Sequence, residues 1–187
     1  MKTLLATLLC LVCCLPCRAQ LDLFDHKGEG GVEIAGDYTR LLLPAAGLIG
    51  SLAARDYKGT LQFGLGCATN LAVSTILKYA IDKPRPHGNG SRAFPSGHVS
   101  IAFQGAAFIQ RRYGWKFGIP AYALAAFTGW TRLYAKQHDI WDVLAGAAIG
   151  VGSSYIFTKP YKKRRAEIVF APSYAGGAFR LYAGITF

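Results

Sequence analysis

Residues 131–143 read TRLYAKQHDIWDV and separate two almost uncharged runs, FGIPAYALAAFTGW at residues 117–130 and LAGAAIGVGSSYIF at residues 144–157. The stretch holds an Arg, a Lys, a His and two Asp within 13 residues. Apolar runs of this kind predict helices that are buried in a protein core or in lipid, where charged side chains are costly. The stretch therefore predicts a polar turn between two helices, and its charges need a functional explanation.

The composition of the chain narrows its class. Its 187 residues are enough for one domain, 52% of them are hydrophobic, and the formal net charge is +11. This composition excludes a disordered protein and agrees with a membrane protein. The basic excess leaves three kinds of partner open, which are nucleic acid, an anionic membrane surface and a phosphorylated substrate.

The N-terminus is typical of an export signal. Residues 1–19 place one Lys before a leucine-rich run and end at Ala19, which predicts a cleaved signal peptide, with a retained membrane helix as the alternative. The chain after this signal holds only Cys67, so a disulfide framework or a cysteine metal site is excluded there. Residues 20–37 are acidic and contain Gly, and they are interpreted as an exported linker or surface segment.

Five apolar segments then predict an all-α fold, a multi-pass transmembrane bundle of about five helices. Most of the segments are shorter than the roughly 20 residues that a spanning helix needs, so the core helices of a soluble protein are the alternative. Lys and Arg at the ends extend the effective spans, and the Gly, Ala and Ser content suits close helix packing in lipid. The segments are Leu41–Ala54, Gly59–Leu77, Ser96–Gln110, Phe117–Trp130 and Val143–Thr158.

The loop charges favour the membrane interpretation. If the mature N-terminus is exported, the loops on the cytoplasmic side are residues 55–58, 111–116 and 159–165. Each of these loops is basic, as the positive-inside rule requires. The bilayer is therefore a predicted partner, and much of the basic charge is explained without nucleic acid.

The C-terminal residues 161–187 differ in character from the helical domain, which is assigned to residues 38–160. A basic segment is followed by β-branched and aromatic residues around a Gly176–Gly177 turn signal, which predicts a β-hairpin-like tail. The final strand alternates like a strand of an outer-membrane barrel. One hairpin cannot close a barrel, so the tail is interpreted as a capping or pairing element.

Three polar clusters are not explained by this topology, and all three fall at the outer end of the predicted bundle. They run from Lys78 to Pro86, from Phe94 to His98 and from Thr131 to Asp142. Clusters that are distant in sequence but converge on one face are what a catalytic pocket requires.

The cations in these clusters predict an anion site. Lys78, Arg85 and Arg132 bring three positive charges together, which repel one another unless a group such as a phosphoryl group binds between them. Ser96 is a predicted helix N-cap, and the free N–H groups that follow it, including that of Gly97, suit an anion.

The histidines in the clusters predict nucleophilic and acid–base chemistry. His138 and Asp142 are four residues apart and share one helix face, so the carboxylate can fix the tautomer of an attacking imidazole. A purely structural hydrogen bond is the alternative for this pair. His98 would lie beside a bound phosphate and could protonate a leaving oxygen. Lys83 and Asp139 are interpreted as solvated charges.

Taken together, the clusters resemble the three-part signature of the type 2 phosphatidic acid phosphatase family, in its membrane lipid phosphatase branch. The matching positions are Lys78-x6-Arg85-Pro86, Pro95-Ser96-Gly97-His98 and Thr131-Arg132-x5-His138-x3-Asp142. The sequence departs from the pattern at Thr131, where the family usually has Ser; both residues carry a hydroxyl group.

The resemblance implies a phosphatase that uses neither a metal nor another cofactor. By matching position, His138 is the nucleophile that forms a phosphohistidine, Asp142 orients it, and His98 protonates the leaving group. The residues that would hold the phosphoryl oxygens are Lys78, Arg85, Ser96, Gly97 and Arg132.

The resemblance also implies a lipid phosphate as the substrate. The export signal and the barrel-like ending indicate a bacterium with two membranes, and the predicted location is the inner membrane with the site facing the periplasm. Lipid A phosphate is ranked first and undecaprenyl diphosphate second, ahead of phosphatidic acid and phosphatidylglycerol phosphate. The alternatives are a soluble periplasmic acid phosphatase, a vanadate-dependent haloperoxidase and a lipid-binding protein without enzymatic activity.

Overall fold

The computed structural model describes residues 30–86, 90–161, 167–175 and 178–186. The fold is mostly helical, and the predicted signal peptide lies outside the described residues. The helices are α1 (Gly31–Ala53), α2 (Tyr57–Ile81), α3 (Gly97–Tyr113), α4 (Trp115–Tyr134) and α5 (Ile140–Phe157). Two strands, β1 (Glu167–Ala175) and β2 (Ala178–Thr186), pair antiparallel with Glu167 opposite Thr186.

Helix α1 is much longer than the apolar segment that predicts it. It begins at Gly31, whereas the predicted segment begins at Leu41. Residues 31–37 therefore form the first two turns of a helix and differ from the linker expected there. These turns carry Glu33 and Asp37, so a search for uncharged apolar segments does not detect them.

Helix α3 lies in the middle of the bundle and packs against the other four helices. Helix α5 runs beside it in the same direction. The N–H of Ser96 donates to the carbonyl of Asp142 at 3.0 Å, and further along both helices the Oγ of Ser154 donates to the carbonyl of Gln104 at 3.0 Å. The starts of α3 and α5 are thus held together.

The close packing of α3 and α5 depends on two glycines of α5. A Cβ at Gly146 would lie 2.6 Å from the carbonyl oxygen of Ser96, and one at Gly150 would lie 2.3 Å from that of Ser100. No side chain fits at these distances. Small residues at a spacing of four let the helix backbones approach each other, as is common between membrane helices.

We predict that Gly150→Ala destabilises the protein by about 1–3 kcal/mol, because the added methyl group forces α5 away from α3. Gly152→Ala on the same helix is the matched control, since a Cβ there meets nothing within 4 Å. Thermal unfolding in detergent, followed by tryptophan fluorescence, should give a lower midpoint for Gly150→Ala only. Equal midpoints for the two variants would show that the contact between α3 and α5 tolerates a side chain at position 150.

Large apolar side chains lie on the outside of the bundle. Ile49, Ile76, Ile119 and Ile156 are between 64% and 72% exposed, whereas many of the buried positions hold Ala, Ser or Thr. An apolar surface of this extent is unusual for a protein in water. Within the part of the chain that the structure describes, α2 and α5 are long and apolar enough to cross a membrane.

A buried ion pair closes the end of the bundle opposite the polar clusters. Arg112, in the last turn of α3, donates to both carboxylate oxygens of Asp56, at 2.6 and 2.5 Å, and to the carbonyl of Lys159 at 2.7 Å. Arg112 is therefore not one of the free cytoplasmic loop charges that the sequence predicts. Its charge is balanced by Asp56, which also caps α2.

Candidate active site

The predicted site residues gather at one end of the bundle, as the topology requires. They are Lys78 in the last turn of α2, Arg85 in the loop after it, Ser96, Gly97 and His98 at the start of α3, Arg132 in the last turn of α4, His138 just before α5 and Asp142 in its first turn. Helix ends place these side chains on a rigid frame, since each helix is fixed by packing along its length.

Three buried side-chain atoms of this group have no hydrogen-bond partner within the described residues. They are Nε of Arg85, Oγ of Ser96 and Nδ1 of His138. Ser96 is the N-cap residue of α3, as predicted, but its hydroxyl does not make the usual capping bond. Buried polar atoms are nearly always hydrogen-bonded. A guanidinium N–H and a hydroxyl left without partners suit a ligand that supplies acceptor oxygens, such as a phosphoryl group.

The imidazole of His138 is buried beside two cations. Burial, followed by the charges of Lys78 and Arg85, lowers the pKa of His138 to about 4, although the charge of Asp142 acts in the opposite direction. An unperturbed histidine titrates near pH 6.5. His138 is therefore uncharged at neutral pH and keeps a free lone pair, which a nucleophile needs.

We predict that His138 of the ligand-free protein stays neutral down to about pH 5 and gains a proton only near pH 4. Because burial and neighbouring cations penalise the imidazolium form, its population grows only as the pH falls through this lowered pKa. Histidine ¹⁵N chemical shifts in detergent measure the titration, and His138→Ala assigns the signal. A titration midpoint between pH 6 and 7 would show that the imidazole is not held neutral.

Asp142 lies next to His138, but the predicted hydrogen bond is not formed. Nδ1 of His138 is 3.6 Å from Oδ2 of Asp142, beyond hydrogen-bonding distance. The buried carboxylate is instead held by Lys83, whose Nζ donates to Oδ1 at 2.8 Å, and by the N–H of Asp139, which donates to Oδ2 at 3.1 Å. Asp142 therefore lies next to the imidazole, as the sequence predicts. Its hydrogen-bond partners are Lys83 and the N–H of Asp139, which the sequence analysis did not predict.

Lys83 and Asp139 are partly exposed, but they are paired and so are more than the solvated charges that the sequence predicts. Lys83 pairs with Asp139 as well as with Asp142, so the loop after α2 is fastened to the start of α5. Asp139 is the N-cap residue of α5 and forms a capping box with Asp142. The spacing of these two acids is itself a signal for a capping box.

The first turns of α1 add two charged residues that the sequence pattern did not predict. Oδ1 of Asp37 lies 2.8 Å from Nε2 of His98 and 3.3 Å from Nη1 of Arg132. Nη1 of Arg40 lies 2.5 Å from the same Nε2. Helix α1 therefore reaches the site, and its Asp37 carboxylate contacts both the predicted general acid, His98, and a predicted phosphate-binding residue, Arg132.

Further bonds fasten α1 to the site. Arg132 donates to the carbonyl of Glu33 at 2.6 Å, and Gln137 links Arg85 to the Glu33 carboxylate at 2.6 and 3.3 Å. Glu33, Asp37 and Arg40 are three or four residues apart and so share one helix face. This spacing could have predicted that the three side chains share a helix face, but only if the helix was expected to begin before Leu41.

Known proteins resemble this chain in sequence. Residues 59–166, which contain all three polar clusters, match the model of the PAP2 superfamily. The chain is 38% identical over 151 residues to a lipid A 4'-phosphatase of Helicobacter pylori, covering 75% of this chain and 76% of that protein. It is 36% identical over 135 residues to a lipid A 1-phosphatase of Porphyromonas gingivalis, covering 66% of this chain and 30% of that protein.

A solved structure has the same fold. The crystal structure of LpxE from Aquifex aeolicus superposes with a TM-score of 0.59 and 22% sequence identity, over 70% of this chain and 88% of that one. The family match covers more than half of the sequence, and it confirms the resemblance that the three clusters carry. The chain belongs to the PAP2 superfamily.

Proposed function

We propose that the chain is a membrane phosphatase that removes a phosphate group from lipid A. The observation that carries this proposal is the set of buried, unpartnered groups on Arg85, Ser96 and His138 at the end of the bundle. Two donors and an uncharged imidazole in one buried site fit phosphoryl transfer to a histidine. The relatives that act on lipid A support this substrate among the family's lipid phosphates.

We favour the 4'-phosphate over the 1-phosphate. The similarity to the lipid A 4'-phosphatase extends over three quarters of both chains, whereas the 1-phosphatase of Porphyromonas gingivalis is matched over less than a third of its length. Undecaprenyl diphosphate remains the second substrate in rank.

The proposed reaction begins with attack by His138. Its neutral nitrogen forms a bond to phosphorus as the bond to the leaving oxygen breaks, and His98 gives a proton to that oxygen. Lys78, Arg85 and Arg132 balance the charge of the phosphoryl oxygens. The phosphoryl group then leaves His138 for a water molecule, which His98 can deprotonate.

Asp142 and Lys83 support this step through their charges beside the imidazole. Phosphorylation places a positive charge on the His138 ring, and the Asp142 carboxylate at 3.6 Å stabilises that charge. Lys83 and the N–H of Asp139 hold the carboxylate in place while the charge develops. A fixed carboxylate does not have to reorient during the reaction, which is the basis of electrostatic preorganisation.

We propose that the bundle crosses the inner membrane several times with the site facing the periplasm. The apolar outer surface and the two apolar helices support insertion in lipid. The basic loops at the opposite end support a cytoplasmic location for that end. A reporter fused after Arg165 should therefore remain cytoplasmic.

The test of this function is phosphate release from purified lipid A in detergent. We expect loss of one phosphate group, unchanged by EDTA, and fragmentation of the product in the mass spectrometer should show an empty 4' position. Loss of the 1-phosphate alone would overturn the positional assignment. Phosphate release from undecaprenyl diphosphate, with none from lipid A, would overturn the assignment of lipid A as the substrate. The assignment of the chain as a phosphatase would stand.

A further inference from the structure

We propose that Asp37 and Arg40 of α1 are positioning residues that control the proton on Nε2 of His98, the general acid. Asp37 holds the protonated nitrogen before transfer, and Arg40 holds the same nitrogen after the proton has left. This inference rests on the proposed phosphatase reaction. It extends the site beyond the three clusters to a helix that lies outside the polar signature.

The geometry around His98 is that of one nitrogen with two competing partners. Nε2 lies 2.8 Å from Oδ1 of Asp37 and 2.5 Å from Nη1 of Arg40. The side chain of Asp37 is only 13% exposed, and Arg40 is buried. The third charged group that faces His98 is Arg132 from α4. Asp37 is thus the carboxylate that contacts this imidazole in the part of the chain that the structure describes.

The two contacts belong to different protonation states. A nitrogen that carries a proton can donate to the Asp37 carboxylate, but it then has no lone pair for Arg40. A nitrogen without a proton accepts from Arg40 through its lone pair, but it then has no hydrogen to donate to Asp37. The structure therefore places a partner for each state of Nε2 within hydrogen-bonding distance.

The proton balance of the step follows from these partners. Before transfer, the Nε2–H of the His98 imidazolium donates a hydrogen bond to Asp37, which stays a carboxylate throughout. As the phosphorus–oxygen bond breaks and the bond to His138 forms, this proton moves to the leaving oxygen, which departs as an alcohol. Arg40 then donates to the bare nitrogen. Arg40 and Arg132 disfavour the imidazolium form of His98, and Asp37 favours it, so loss of Asp37 removes the neighbouring charge that supports the acid.

The test compares two leaving groups in the variant Asp37→Asn, which keeps size and removes charge. Lipid A leaves as a sugar alcohol, which needs a proton, whereas the nitrophenolate of 4-nitrophenyl phosphate leaves without one. General acid catalysis is worth roughly 100-fold or more. We expect the ratio of kcat on lipid A to kcat on 4-nitrophenyl phosphate to fall about 100-fold. A purely structural role would lower both rates by the same factor and overturn the inference.

Two further variants keep the test decisive. Glu33→Gln removes an acid one turn earlier on the same helix face, and it should leave the ratio of the two rates unchanged. Arg40→Gln removes the competing donor, so its ratio should stay at or above that of the wild type even if Asp37→Asn does not fold. A fall in the ratio for Arg40→Gln would contradict the two-partner arrangement. Failure of the wild type on every substrate would instead overturn the proposed function itself.

Discussion

Replacing His138 with Ala is expected to lower phosphate release from lipid A by on the order of 10,000-fold or more. The imidazole is the one group of the site that forms a bond to phosphorus, and removal of a catalytic nucleophile typically has an effect of this size. The loss should appear in kcat, because the cations that bind the phosphate remain. Release of inorganic phosphate in detergent measures the effect.

The matched control for this variant is Lys136→Gln, two residues earlier in the same turn. Lys136 is exposed and lies outside the proposed chemistry, so its variant should keep the wild-type rate. The thermal midpoint of His138→Ala should stay close to that of the wild type. Near wild-type release by a folded His138→Ala variant would show that the phosphoryl group is transferred to some other acceptor.

Replacing Arg132 with Lys is expected to lower kcat/KM by about 100-fold, although the positive charge is kept. The buried guanidinium donates to the carbonyl of Glu33, approaches Asp37 and lies beside the Thr131 hydroxyl at 3.4 Å. These contacts fix the plane of the Arg132 guanidinium group, whose N–H groups form a fork. A lysine has no fork and cannot bind two phosphoryl oxygens side by side.

The control for Arg132 is the same exchange at the opposite end of the bundle. Arg111 lies over the ring of Tyr155, far from the polar clusters, and Arg111→Lys should leave kcat/KM unchanged. Comparison of the two variants shows whether the loss of kcat/KM is specific to position 132 or follows from any replacement of Arg by Lys in this protein. If Arg132→Lys keeps more than half of the wild-type kcat/KM, the side chain acts as a simple point charge.

The location of the site could be predicted from sequence because charged residues are rare in the apolar part of this chain. Lys78, Arg132, His138 and Asp142 stand at the ends of apolar segments, and antiparallel connections bring those ends to one side of a bundle. Each such residue is costly in an apolar environment unless it has a partner. The structure places these residues together at the end that the topology predicts.

The contribution of α1 could not be predicted in the same way. Asp37 and Arg40 precede the apolar segment at Leu41, and a polar stretch beside an export signal is typical of a linker. Their place in the site rests on contacts with His98 and Arg132, which local sequence does not encode. Tertiary context commonly overrides local preference in this manner.

The partner of Asp142 was missed for a related reason. The four-residue spacing to His138 is a local pattern, and it correctly predicts that the two side chains are neighbours. Lys83 reaches the same carboxylate only because the loop after α2 folds onto the start of α5. Such a contact spans 59 residues and is set by helix packing, so no short motif reveals it.

The central claim, attack by His138, is tested most directly by trapping the phosphorylated enzyme. Lipid A labelled in its phosphate groups is mixed with the protein in detergent, quenched within one turnover and digested for mass spectrometry. The account predicts an alkali-stable, acid-labile phosphoryl group on the peptide that contains His138, and none on the His138→Ala variant. A phosphoryl group on any other residue, or equal labelling of His138→Ala, would contradict it.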